Sequence, residues 1–224
     1  MPGDRQGAAL AFVETFANVL ATRADRDTAL RPFADALGSC RADQGMAEPG
    51  GVGEHSALAH LDGLLEAISL SDERFAACVR HAAGLVNWYE PYPELEGDPS
   101  ISEGMIAGQV LGPVGMIASA DTRAGLFLIG PNVTYPLHDH VSEEVYFVLS
   151  GSMDVQQGFA GQPKRLAPDD YSHTPPGMPH ALITGDEPVL IAYCWIGETS
   201  CPVWWWQDDG GGLWRRYLPT RAFA

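Results

Sequence analysis

His138, His140 and Glu144 sit close together in the stretch Tyr135-Pro136-Leu137-His138-Asp139-His140-Val141-Ser142-Glu143-Glu144-Val145-Tyr146. Side chains alternate faces along a strand, so His138 and His140 point the same way. Beyond a turn, Glu144, Tyr146 and Val148 again share one face, while Val145, Phe147 and Leu149 face the other. Neutral imidazoles and a carboxylate on one wall suit a divalent transition metal. The competing reading is a core that tolerates polar residues, but such groups are costly to bury without a cation. The apolar opposite face predicts cover by helices or by a second subunit.

Two kinds of element must hold this wall. Residues 1–95 read as a helical region. Leu10, Val13, Phe16, Ala17 and Leu20 recur at helical spacing. Asp27 is placed to cap a second helix carrying Leu30, Phe33, Ala34 and Leu37, with Pro32 in its first turn. Residues 42–53 read as a loop. Leu58, Leu61, Leu65 and Ile68 form another stripe, and Ser71 is placed to start a helix carrying Phe75, Cys78, Val79, Ala82 and Val86. The segment 87–93 breaks the pattern, because Pro91 and Pro93 force an extended path. Its Trp88, Tyr89 and Tyr92 are either a packed linker or an aromatic flap. Residues 96–224 read as β: runs at 105–111, 115–120, 124–129, 144–150, 152–156, 170–174, 180–184 and 189–195 alternate with turn residues, the mark of an antiparallel sandwich or barrel.

Composition removes several functions. The formal net charge is −16 and Lys164 is the one lysine. So acidic a chain repels nucleic acid and anionic membranes, and Schiff-base chemistry on lysine has little to work with. Residues 1–95 carry 7 arginines against 14 acidic residues, the wrong sign for a DNA-binding helical module. No stretch is long and apolar enough to span a bilayer, and no secretory signal opens the chain, so a cytoplasmic protein is expected. Cys40, Cys78, Cys194 and Cys201 are scattered, as reduced core thiols would be. His55, His60 and His81 lack ligand neighbours at useful spacing.

The spacing His138-x-His140-x3-Glu144-x6-Gly151, followed farther on by Pro175-Pro176-Gly177-Met178-Pro179-His180, resembles the two motifs of the cupin superfamily. The resemblance implies a C-terminal jelly-roll (double-stranded β-helix) barrel after the helical region. It also implies one divalent metal per subunit (Zn²⁺, Fe²⁺, Mn²⁺, Co²⁺ or Ni²⁺) held by His138, His140, Glu144 and His180. The first three would come from a hairpin, and His180 from a strand facing it across the barrel. Asn132 and Thr184 depart from the motifs, standing where a glycine and an asparagine are usual. His173 is expected in a supporting or surface role.

A narrower pattern places Tyr135 three residues before the first histidine and Tyr146 two after the glutamate. It resembles the cupin-type dimethylsulfoniopropionate (DMSP) lyases, most of all the DddL type. That resemblance implies a carbon–sulfur lyase releasing dimethyl sulfide and acrylate by β-elimination. One tyrosine would be the base, Tyr146 ahead of Tyr135, and the metal would bind the substrate carboxylate. The sulfonium end needs aromatic faces; Trp88, Tyr89, Tyr92, Trp195 and the Trp204-Trp205-Trp206 run, expected just after the barrel, are the candidates. The partner is then a small zwitterion, with a homo-oligomer possible. A cupin iron dioxygenase and a non-catalytic small-molecule-binding cupin are the rival readings.

Overall fold

The first apolar stripe lies on α1 (Pro2–Ala24), where Val13, Phe16 and Leu20 are buried. This is a computed structural model, and it describes residues 2–40, 53–93, 95 and 99–219; the loop expected at 42–53 falls, but for residue 53, outside them. Asp27 caps as its position predicts: its carboxylate accepts the Ala29 N–H at 3.2 Å and opens a 3₁₀ turn (Thr28–Leu30) leading into α2 (Arg31–Gly38). Pro32 occupies the first turn of α2, where no intrahelical N–H is lost. The third stripe falls on a 3₁₀ turn (Ser56–His60) and α3 (Leu61–Glu66). In α4 (Glu73–Ala83) the cap is Asp72 rather than Ser71: Asp72 Oδ1 accepts the Phe75 N–H at 2.9 Å. Ser71 is drawn away to the barrel, where its N–H (2.7 Å) and hydroxyl (2.9 Å) both donate to Asp169.

The strands are β1 (Asn87–Tyr89), β2 (Met105–Leu111), β3 (Thr122–Ile129), β4 (Thr134–Asp139), β5 (Glu143–Ser150) and β6 (Met153–Gln157). They continue as β7 (Lys164–Leu166), β8 (Tyr171–Thr174), β9 (His180–Ile183), β10 (Val189–Ile196), β11 (Trp204–Asp208) and β12 (Trp214–Tyr217). A short α5 (Pro99–Ser102) precedes β2. They pair antiparallel into two six-stranded sheets, ordered β1-β2-β3-β10-β5-β8 and β12-β11-β4-β9-β6-β7, which face one another as a jelly roll. The extended path forced on 87–93 becomes β1, the edge of the first sheet, so a strand falls inside the region read as helical.

Two sequence expectations fail in the sheets. Residues 115–120 form no strand. Gly112, at φ 144°, turns the chain back on β2, and the N–H groups of Met116 and Ile117 donate to Gln109 and Val110 of the strand just left. The tryptophan run does not follow the barrel; it is β11, hydrogen-bonded to β4 in the second sheet.

The apolar outer face of β5 is covered by the helices. Phe16 of α1 and Phe75 of α4 stack at 5.2 Å, and both meet the Phe147 ring edge-on at 6.2 and 6.0 Å. Val145, Phe147 and Leu149 are fully buried in that layer. A second core, inside the jelly roll, contains Tyr92, Tyr135, Tyr146 and Trp205. The site lies in this inner core.

Candidate metal centre and cavity

His140, Glu144 and His180 converge, their ligand atoms lying within 4.8 Å of one another, and all three are buried. The sheets supply them differently from the sequence expectation. Glu144 is the second residue of β5 in the first sheet. His180 opens β9 in the second, where it is the direct register partner of His138 on β4. The turn at 140–142 therefore crosses from one sheet to the other instead of closing a hairpin. His180 stands beside His138, and Glu144 comes from across the barrel. The turn before His180 is pinned to the first histidine pair: the Gly177 N–H donates to the His140 carbonyl at 2.8 Å, with Gly177 at φ 71°.

Each imidazole has one nitrogen committed. The Nδ1 atoms of His138, His140 and His180 lie 2.8, 2.9 and 3.0 Å from the carbonyls of Pro136, Ser142 and Met178. Carbonyls only accept, so each Nδ1 carries a proton and Nε2 is the nitrogen turned inward. His140 Nε2 and His180 Nε2 lie 3.2 and 3.1 Å from Glu144 Oε2. The His180 contact is off hydrogen-bond alignment, leaving Nε2 a buried atom without a hydrogen-bond partner. A ring nitrogen this close to a carboxylate oxygen needs a proton or a cation between them. The carbonyl-fixed tautomers and the orphaned Nε2 are what a divalent metal needs, so the donor set fits one.

Electrostatics agree with an anionic Glu144. Burial acts to raise its carboxyl, but the imidazoles of His140 and His180 outweigh it and hold it below the usual carboxylate range. Burial first, then His180, keeps His138 neutral by pushing its imidazole well down. Trp195 locks the carboxylate from the other side. Its indole N–H donates to Glu144 Oε1, and its ring stacks on His140 at 4.0 Å. His138 lies outside the tight trio, its ring 4.0 Å from that of His180 and stacked on Tyr135 at 3.8 Å.

Tyr135 reaches this face through a β-bulge. Between the pairs Tyr135↔Leu182 and His138↔His180, β4 advances three residues while β9 advances two. The extra residue reverses the parity, so Tyr135 and His138 share a side although three positions apart. The Tyr135 hydroxyl is hydrogen-bonded to that of Tyr92, which also accepts the Trp205 indole N–H at 3.3 Å. Burial, then the neighbouring phenols of Tyr92 and Tyr146, push Tyr135 well above its usual range. Tyr146 points inward from β5; burial, then the Glu144 carboxylate, raises its phenol similarly.

Beside the trio is a cavity of about 130 Å³, room for a small molecule. Tyr89, Tyr92, Tyr135, Glu144, Tyr146 and Trp195 line it, joining most of the residues singled out in the sequence. Trp88 does not join them. It faces the helices, its indole N–H donating to the Ala83 carbonyl at 3.2 Å. Of the tryptophan run, Trp205 backs Tyr92 and Tyr135, while Trp206 donates to Asp139 at 2.6 Å. His173 pairs with Glu143 at 2.7 Å, away from the trio. Arg123, Phe127, Tyr193 and Cys201 also line the cavity and were missed. Tyr193 was legible, since it shares the face of Trp195 two residues on; Arg123 lay one residue outside the strand read at 124–129.

Fold and site together define a cupin: a jelly roll with an inward histidine–carboxylate cluster between its sheets. Within that class, the sequence profile of the dimethylsulfoniopropionate lyase family matches residues 41–191, and the chain belongs to that family. One relative is the dimethylsulfoniopropionate lyase DddQ of Ruegeria pomeroyi DSS-3, 34% identical over 90 residues; the match covers 40% of this chain and 44% of that enzyme, less than half of its length. The crystal structure of the DMSP lyase DddQ from Ruegeria pomeroyi DSS-3 superposes with a TM-score of 0.66 over 86% of this chain and 94% of that one, at 23% identity. A structure described with the DMSP lyases RdDddP and RnDddQII gives 0.62 over 88% and 97%, at 24% identity. These relatives carry the DddQ and DddP names, where the short tyrosine motif pointed to DddL. Both structural likenesses bear on the fold alone.

Proposed function

We propose that this chain is a DMSP lyase, eliminating dimethyl sulfide from dimethylsulfoniopropionate to leave acrylate. The observation that carries the reading is the small cavity lined by Tyr135, Tyr146 and Glu144, with Glu144 also the carboxylate that His140 and His180 approach. His140, Glu144 and His180 would hold one divalent metal, with His138 as fourth ligand; three histidines and a carboxylate accept Zn²⁺, Fe²⁺, Mn²⁺, Co²⁺ or Ni²⁺. When bound, such a cation supplies positive charge for the substrate carboxylate and favours a nearby phenolate.

The remaining chemistry belongs to the chain. The Tyr146 oxygen takes the proton from the carbon next to the carboxylate. The C–H pair becomes the new C=C bond, the C–S bond breaks with its pair going to sulfur, and neutral dimethyl sulfide leaves. Tyr146 is the better-placed base because Glu144, whose charge raises its phenol, is itself a proposed metal ligand; a cation there cancels the repulsion. Tyr135, held by Tyr92 and stacked on His138, positions the substrate. Of the aromatics expected to hold the sulfonium, Tyr92 offers its ring face, beside Phe127 and Tyr135. The test is headspace dimethyl sulfide from purified protein supplied with DMSP and each metal in turn under anaerobic conditions. Gas without O₂ is expected; no gas with any metal sinks the reading.

A further inference from the structure

The cavity wall away from the histidines holds two buried donor atoms that make no well-formed hydrogen bond. Arg123 Nε and the Tyr193 hydroxyl are both buried without a hydrogen-bond partner, and both residues line the cavity. Tyr193 is 7% exposed. Tyr89 and Gln109 approach its hydroxyl, and the Arg123 charge lies near both Tyr89 and Tyr193, yet the two atoms remain unpaired. A buried unpartnered donor costs free energy that a ligand acceptor would recover.

The register fixes where these donors stand. Arg123 on β3 pairs with Trp195 on β10, and Trp195 pairs with Glu144 on β5. The three form one row across the sheet, so Arg123 and Glu144 are two strand spacings, about 10 Å, apart. In the next inward row Gly125, Tyr193 and Tyr146 follow in the same strand order. Gly125 contributes no side chain, and the place a Cβ would take is filled by the backbone of Gly108 and Gln109 on β2. The cavity is therefore polarised. One end carries a guanidinium and a phenol O–H, and the other carries the rings of Phe127, Tyr135 and Tyr92.

We infer that Arg123, with Tyr193, is the carboxylate-recognition element of this cavity and sets the direction in which a zwitterion enters. A carboxylate has two oxygens: one can meet the guanidinium and phenol while the other faces the histidine–glutamate cluster. The same guanidinium repels a sulfonium, so the cationic end is turned toward the Phe127, Tyr135 and Tyr92 rings. The inference rests on the lyase reading for the identity of the zwitterion, and it adds a selection rule: cations lacking a carboxylate are rejected.

The test uses two half-ligands on the metal-loaded protein, propionate and ethyldimethylsulfonium, with binding followed by calorimetry. Propionate binding should weaken roughly ten- to a hundred-fold in Arg123→Met, the weight of a charge-assisted hydrogen bond. A smaller loss is expected in Tyr193→Phe, while the sulfonium binds as well as before or better. Metal content and melting temperature report whether each variant is intact. If the Met variant does not fold, Arg123→Lys carries the test, with a several-fold loss expected because a lysine lacks the two-pronged donor face. Wild-type propionate affinity in the folded variants overturns the inference, as does equal weakening of both half-ligands. Dimethyl sulfide release with KM unchanged in Arg123→Met sinks this inference and leaves the lyase reading standing. Arg123-dependent propionate binding without any turnover of DMSP does the reverse.

Discussion

Single residues carry unusual weight around the cavity. Asn132 and Thr184, the two departures from the cupin motifs, show how. Asn132 adopts φ 58°, left-handed backbone that glycine takes freely and asparagine tolerates better than most residues. Thr184 accepts the Val133 N–H at 2.9 Å and donates to the Gly130 carbonyl at 2.7 Å, tying down the loop that feeds β4. Both departures keep the local geometry, so the histidines downstream stay aimed. Tyr146 is where the chemistry is expected to fail first. Tyr146→Phe should lower kcat roughly 10²- to 10⁴-fold, the usual worth of a positioned proton acceptor, with metal content unchanged. Tyr135→Phe should act mainly on KM. Headspace dimethyl sulfide kinetics alongside metal analysis separate the two, and near wild-type kcat in Tyr146→Phe removes it as the base.

At the scale of elements, the C-terminal hairpin of β11 and β12 holds the histidine strand in place. Asp139 lies between His138 and His140 and is turned away from them. Its carboxylate accepts from the Trp206 indole at 2.6 Å and pairs with Arg216 of β12. The Arg216 guanidinium also covers the Trp204 ring at 4.7 Å. The Asp139 side chain is 4% exposed, so removing its partner leaves a nearly buried charge. Arg216→Ala should cost about 1–3 kcal/mol, the lower end being favoured because Arg216 is partly exposed. The same variant should lose metal more readily on titration with a chelator. Denaturant melts and metal retention measure the two effects; unchanged values in both would show that β4 is held by its backbone pairing alone.

Across the whole molecule, the helices and the first sheet share one apolar layer. Asp169, at φ 73°, stitches them together: it pairs with Arg23 of α1 at 2.8 Å and accepts from Ser71 just before α4. Phe147 sits between that layer and the site, on the strand whose inward face carries Glu144 and Tyr146. A chain lacking residues 1–86 would expose Val145, Phe147 and Leu149 together, each worth about 1.5–3 kcal/mol of burial. Such a chain should aggregate or bind a hydrophobic dye strongly, measured by size-exclusion chromatography and dye fluorescence. A monodisperse, dye-silent barrel would mean that the helices are dispensable to the fold.

What the residues alone determined was local. Helical stripes, the Asp27 cap, alternation along β5 and the histidine–glutamate spacing depend on periods of a few residues, and these survive folding unchanged. The third histidine, His180, was legible too, because the Pro-x-Gly turn that delivers it is a local motif. Tertiary structure decided the rest, where partners distant in sequence compete. Ser71 gave up a helix cap for Asp169, and residues 115–120 folded back on β2 instead of pairing as a strand. The bulge in β4 is set by register against β9, so strand parity by itself could not tell which way Tyr135 points. Which sheet each strand joins is likewise a long-range choice: it placed His180 beside His138, brought Glu144 from across the barrel, and set Arg123 in a row with Trp195 and Glu144.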